Sequence, residues 1–203
     1  MTKNAASGIA LASASPYRAA MLRNAGVLFE TSPAQIDERA IEAALEKSAI
    51  DPAGVALILA RAKANNVSTA LPGRIVIGAD QTLCLNSTIL HKPATMDEAI
   101  NRLTLLSGQT HQLTSAACLV RNEELLWAHV ETSHITFRRL KPDFITRHLA
   151  VVGMTALTSV GAYQIEAQGI QLIEKIEGDF FSIMGMPLLP LLAQLRQMGL
   201  IDG

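Results

Sequence analysis

The chain has 203 residues, 49% of them hydrophobic and 17% charged, with a net charge of −1. At this size folding buries roughly 70% of the surface the unfolded chain exposes, so no disulfide or structural metal is needed to hold a core. The near-zero charge excludes a protein that coats nucleic acid, and any anion site must arise from local placement of basic groups.

Residues Met1 to Gly8 carry one lysine and no apolar run, and no export signal is expected there. Gly8 to Ala12 reads as a buried strand. Ser15 as N-cap and Pro16 as first helical residue then open a helix over Tyr17 to Ala25, which Gly26 ends. Val27 to Thr31 reads as a second strand, and Pro33 to Asp51 as an acidic loop with a short helix near Glu42 to Lys47. Asp51-Pro52 starts a helix whose Val55, Ile58, Leu59 and Ala62 recur at helical spacing until Leu71-Pro-Gly73.

Arg74 to Asp80 reads as a buried strand ending in a carboxylate, followed by extended chain over Thr82 to Asn86 and Thr88 to Leu90 around an Asn-Ser turn. A helix is expected over Asp97 to Leu106. Two longer strands follow, His111 to Arg121 and Leu125 to Phe137, joined near Asn122, and then a helix over Pro142 to Val151. Gly153 to Gln168 reads mostly as loop, Ile170 to Ile176 as strand, and Pro187 to Met198 as the closing helix. The apolar run Met186 to Leu195 is half the length a bilayer requires, so no membrane span is expected. The order is mixed α/β without the regular alternation of a doubly wound sheet, which fits one elongated domain of two lobes with a cleft.

Several residues carry chemistry. At Ser13-Ala-Ser-Pro-Tyr-Arg18 a strand, a serine-rich turn and a helix start direct backbone N–H groups at one point, a site for phosphate oxygens that Arg18 would reinforce. The same residues also read as a capped helix with a surface arginine. Asp80 follows an apolar strand, so its carboxylate needs a partner, a metal or a cleft, unless it caps a turn. Lys63 and Lys92 are candidate phosphate ligands or ordinary solvated lysines. Asp37-Glu38 is a candidate Mg²⁺ ligand pair or a solvated acidic loop. Cys84 and Cys118 lie in apolar runs without a CxxC partner and read as reduced core thiols; the five histidines show no metal-binding spacing.

In order, Ser13-x-Ser-Pro-x-Arg18, Asp37-Glu38, Ala62-Lys63-Ala64, Gly78-Ala-Asp80, Lys92-Pro93, Ser107-Gly-x-x-His111, Gly161-Ala-Tyr-x-Ile165 and Gly185-x-Pro187 resemble the Maf-like nucleotide pyrophosphatases associated with septum formation. Each piece is short, but the ordered set spans Leu11 to about Leu195. The resemblance implies a single domain over 1–203 with an α/β fold, a mixed twisted sheet flanked by helices in two lobes around a cleft, as in the inosine-triphosphate pyrophosphatases. It further implies a cytoplasmic homodimer that takes a divalent metal, Mg²⁺ or Mn²⁺, and cleaves a nucleoside triphosphate between its α- and β-phosphates. By the same resemblance Asp80 is the general base or mainly a metal ligand, with Glu38 as a further metal ligand. Ser13, Arg18, Lys63 and Lys92 then bind the phosphates.

Three positions depart from the commonest family pattern. Tyr17 stands where many members have a second arginine, Gln81 follows the aspartate in place of threonine, and Ile165-Glu166-Ala167 replaces Ile-Gln-Gly. Tyr17, Gln81 and Glu166 resemble the branch acting on 7-methyl-GTP. A glutamate accepts two hydrogen bonds from the guanine N1–H and N2–H₂ edge, and a tyrosine face suits a cationic methylated purine. His111 and Gly161-Ala-Tyr163 are instead similar to members acting on dTTP or UTP, and Ala167 replaces a loop glycine. A different class of function, a nucleotide-binding regulator of septum formation or cell division with little turnover, is also compatible with the resemblance.

Overall fold

The structure is a computed structural model that describes residues 8–45 and 50–202. The expected helix end at Glu46-Lys47 and the reading of Met1 to Ser7 as free of an export signal lie outside these residues. The fold is mixed α/β. Strand pairing runs in the order β2-β1-β3-β5-β6-β7, with β4 paired to β3. The strands are β1 (Ile9–Leu11), β2 (Glu30–Thr31), β3 (Ile75–Leu85), β4 (Thr88–Leu90), β5 (Thr110–Arg121), β6 (Glu124–Phe137) and β7 (Ile173–Glu177). The helices are α1 (Pro16–Asn24), α2 (Glu38–Leu45), α3 (Pro52–Ala70), α4 (Met96–Leu106), α5 (Pro142–Val152), α6 (Phe180–Ile183) and α7 (Leu188–Gln197).

The chain divides into two compact units, each with its own core. The first draws on Met1–Gln81, Ser115–Glu131 and Gly185–Gly203. Here β1 pairs in parallel with both β2 and β3, and small residues (Ala56, Ala60 and Ala64 of α3, Ala10 of β1, Ala116 of β5) let helix and sheet approach closely. The approach is closest at Gly78, where a Cβ would stand 2.1 Å from the Ala60 carbonyl oxygen and 2.8 Å from the Ala64 side chain. Only glycine fits there. The second unit comprises Thr82–Thr114 and Thr132–Met184. Its core gathers Leu83, Leu103, Leu106, Ile135, Phe137 and Leu172, all with no exposed surface.

Most elements fall where the sequence places them. Ser15 caps α1 by accepting from the Arg18 N–H, and Asp51 caps α3 by accepting from the Gly54 N–H at 2.8 Å. Asn86-Ser87 and Asn122-Glu123 turn their hairpins with positive φ at both residues, the conformation that matches strand twist.

Five segments differ. Helix α2 begins at Glu38 rather than Glu42, because the Asp37 carboxylate accepts from the Ala40 N–H at 3.0 Å and so acts as its N-cap. β2 is confined to Glu30–Thr31. Gly153–Thr158 and Gln168–Leu172 form 3₁₀ turns where loop and strand were expected, delaying β7 to Ile173. Finally, β3 does not end at Asp80 but continues through it to Leu85. What ends there is the parallel pairing: its last register pair is Leu11 with Ile77, followed by an Ala12 N–H bond to the Ile77 carbonyl.

Candidate active site

Asp80 lies three residues past that last parallel pair, on the same face of β3 as Gly78. Ala60, Lys63 and Ala64 share one face of α3 at helical spacing. The close approach at Gly78 therefore brings Lys63 onto Asp80. The Lys63 ammonium donates to Asp80 Oδ1 at 2.5 Å and pairs with Glu38 Oε2 at 2.8 Å. Lys63 and Asp80 are buried, whereas the Glu38 side chain is 49% exposed.

Glu38 reaches the lysine because the segment before α2 is itself tied to α3. The Gln35 N–H donates to Asn66 Oδ1 at 2.9 Å, one turn along α3 from Lys63. Asp37, spent on capping α2, is not part of this charge chain. Residues 34–39 line an open depression of about 540 Å³ beside Glu38.

The serine-arginine turn is built from the same unit. Ser13 is buried, and its Oγ accepts from the Ser15 N–H at 3.1 Å and from Arg18 Nη1 at 3.4 Å. Arg18 Nε donates to the Gly185 carbonyl at 2.8 Å. Burial lowers the Arg18 pKa from its ordinary value, while the charges of Asp80 and, to a smaller extent, Glu38 act in the opposite direction. Ser13 and Arg18 are thus hydrogen-bonded to each other, Glu38, Lys63 and Asp80 form one charge chain, and the charges of Asp80 and Glu38 act on Arg18. Gln81, next to Asp80, donates from Nε2 to Ser115 Oγ on β5 at 3.0 Å, and Tyr17 sits half-buried in the first turn of α1.

Lys92 and Glu166 belong to the second unit, both exposed, with Lys92 two residues after β4 and Glu166 next to the buried Ile165. Ala167 has φ −130°, an extended backbone open to any residue, so the replaced glycine leaves no strain there.

His111 and Tyr163, the two residues similar to pyrimidine-type members, are core residues of the second unit. His111 Nε2 and Tyr163 Oη are hydrogen-bonded at 2.9 Å, and both rings pack edge-on to Phe137. His111 is 1% exposed and Tyr163 6%. Burial lowers the His111 pKa to about 4 and raises that of Tyr163. An unfolded His111 would titrate near its ordinary 6.5 and bind a proton that the folded state refuses. Its contribution to stability is therefore complete above pH 6.5 and lost as pH falls toward about 4. The expected ceiling is about 3 kcal/mol. Urea titrations at pH 7 and pH 4.5 should show a smaller pH-dependent loss in His111→Gln than in the unmodified protein; equal losses would contradict a neutral buried His111.

Two contributors had no role assigned from sequence alone. Gly185 stands in the sequence only as part of Gly185-x-Pro187, and Ser115 belongs to no motif; nothing in a single sequence links either residue to Arg18 or Gln81. Cys84 and Cys118 are buried free thiols, and burial pushes Cys118 up to about 12. Among the described residues no group of three or more His, Cys, Asp or Glu converges as a metal cage, and no helix is long and apolar enough to cross a membrane.

The family described as "Maf-like protein" matches residues 8–198. A 7-methyl-GTP pyrophosphatase of Mesorhizobium japonicum is 60% identical over 195 residues, covering 96% of this chain and 98% of the relative. Proteins of the same name from Rhizobium meliloti and Brucella abortus are 56% and 55% identical, over 95% and 96% of this chain and 96% and 98% of their own lengths. With a family match from the first strand to the last helix and relatives of this identity across nearly their whole length, the chain belongs to the Maf-like protein family.

Proposed function

We propose that the protein hydrolyses 7-methyl-GTP to 7-methyl-GMP and pyrophosphate, with Asp80 at the reacting centre. The observation that carries this reading is the Glu38–Lys63–Asp80 chain, with Arg18 in its electrostatic field. Two carboxylates share one ammonium in a mostly buried setting, next to a serine-arginine turn suited to phosphate. Hydrolysis of a phosphoanhydride asks for these parts: an acceptor for the water proton and positive groups for the phosphoryl oxygens.

In this reading the attacking water gives its proton to the Asp80 carboxylate as its oxygen bonds to phosphorus. The α–β anhydride bond breaks and pyrophosphate departs. Arg18 and Lys63 hold the negative charge on the phosphoryl oxygens, and Ser13 keeps the Arg18 fork in place.

Glu38 and Asp80 fit a divalent cation. They are hard oxygen donors already converging on one cationic centre, and Mg²⁺ is commonly held by one or two carboxylates plus waters and substrate phosphates. When bound, the cation would neutralise phosphate charge and lower the pKa of a coordinated water. A homodimer and a cytoplasmic location, the latter in keeping with two unpaired buried thiols, complete the proposal.

The base preference rests on Tyr17, Gln81 and Glu166 and on the printed names of the relatives. The residues similar to pyrimidine-type members are packed inside the second unit, so they do not argue for a pyrimidine substrate. Initial rates on 7-methyl-GTP, GTP, dTTP and UTP, with Mg²⁺ or Mn²⁺, test this preference. The expected result is kcat/KM at least about 10-fold higher for 7-methyl-GTP than for either pyrimidine nucleotide. Faster hydrolysis of dTTP or UTP would overturn it.

A further inference from the structure

We infer that Gly185 is a positioning residue for the reaction: its carbonyl holds Arg18 by Nε and so fixes the direction in which the guanidinium presents its outer edge to phosphate. The inference rests on the function proposed above and adds a contributor from the other end of the sequence.

An arginine that binds phosphate well must present its planar fork in one orientation, because bidentate contacts fail when the plane rotates. A half-buried arginine on the first turn of a helix has four side-chain torsions with which to miss. Here Nε donates to the Gly185 carbonyl at 2.8 Å, and Nη1 leans on Ser13 Oγ at 3.4 Å. These two bonds fix both the plane and its rotation. The N–H groups they leave over are held in one direction, ready to donate to an anion.

The carbonyl is itself well placed to do this. Gly185 has φ +113°, a conformation that L side chains rarely adopt, so the direction of its carbonyl depends on glycine. The following residues are anchored: Met186 is fully buried, and Leu188 and Leu191 of α7 are buried behind it. The guanidinium also lies against the glycine, with Arg18 Nε and Nη2 at 3.5 and 3.7 Å from where a Cβ would stand and Gln81 Oε1 at 3.9 Å. A methyl group there would be in contact with the arginine, and the backbone strain it brings would move the carbonyl.

The bond links residues 167 positions apart. It does nothing for α1 as a helix, whose N-terminus Ser15 already caps. Its consequence is orientation of the Arg18 head group.

A double-mutant cycle separates orientation from ordinary stability. kcat/KM on 7-methyl-GTP is measured for Gly185→Ala, Arg18→Ala and the double variant, each checked for folding by circular dichroism and thermal midpoint. If Gly185 acts through Arg18, Gly185→Ala should lose about 10- to 100-fold in the presence of Arg18. In the Arg18→Ala background it should lose less than about 2-fold. An equal fold-loss in both backgrounds overturns the inference.

A second measurement uses the unmodified protein and stands even if Gly185→Ala does not fold. The ¹⁵N-labelled Arg18 Nε–H resonance, assigned by its disappearance in Arg18→Lys, should exchange with solvent at least about 10-fold more slowly than in free arginine. Exchange at the free rate also overturns the inference. If the unmodified enzyme turns over no nucleotide, it is the proposed function that fails, while the exchange rate still decides whether Gly185 holds Arg18.

Discussion

Asp80→Asn is expected to lower kcat by about 10²- to 10⁴-fold while leaving the protein folded. The amide has nearly the shape of the carboxylate, and its Oδ1 still accepts a hydrogen bond from Lys63, which keeps its second partner in Glu38. What the amide lacks is the capacity to take a proton from water and the negative charge that would help hold a divalent cation. Initial rates on 7-methyl-GTP, beside thermal midpoints of both proteins, check this expectation. A loss of less than about 10-fold in a folded variant would remove Asp80 from the reacting centre.

Lys63→Met should damage stability as well as turnover. Lys63 is 8% exposed and Asp80 6%, so without the ammonium a buried carboxylate loses its contact partner. Removing one member of a buried pair typically costs about 3–5 kcal/mol. About 3 kcal/mol is expected here, because Glu38 is half exposed and can be rescreened by water and because Arg18 still acts on Asp80 from nearby. The double variant Lys63→Met/Asp80→Asn removes the stranded charge and should recover a good part of that loss. Urea unfolding midpoints of the single and double variants measure both effects. A single variant within about 0.5 kcal/mol of the unmodified protein would mean that Asp80 is far better solvated than its burial indicates.

The path from sequence to site was legible wherever a local rule governs the backbone. Ser15-Pro16 and Asp51-Pro52 open their helices where the capping residues say they should, and Gly26 has the positive φ expected just past a helix end. It was less legible where a distant group decides. Nothing local to Asp80 explains why β3 continues through a carboxylate; the reason is Lys63, 17 residues earlier, brought over the strand by the absence of a side chain at Gly78. A run of good helix formers over residues 38–45 and an aspartate able to cap them were there to be read, yet the acidic character of Asp37-Glu38 suggested a loop. The 3₁₀ turns between Gly153 and Leu172 are too short to leave a periodic signature. The Arg18 to Gly185 bond joins the two ends of the sequence, a separation at which no spacing rule applies.

The most direct test of the proposed chemistry is product identification by ³¹P nuclear magnetic resonance after incubating the purified protein with 7-methyl-GTP and Mg²⁺. The expected spectrum shows 7-methyl-GMP and pyrophosphate appearing in equal amounts, with both formed about 10²- to 10⁴-fold more slowly by Asp80→Asn. Release of inorganic phosphate with 7-methyl-GDP, or an unchanged triphosphate spectrum in the presence of folded protein and either Mg²⁺ or Mn²⁺, would contradict hydrolysis of the α–β anhydride at this site.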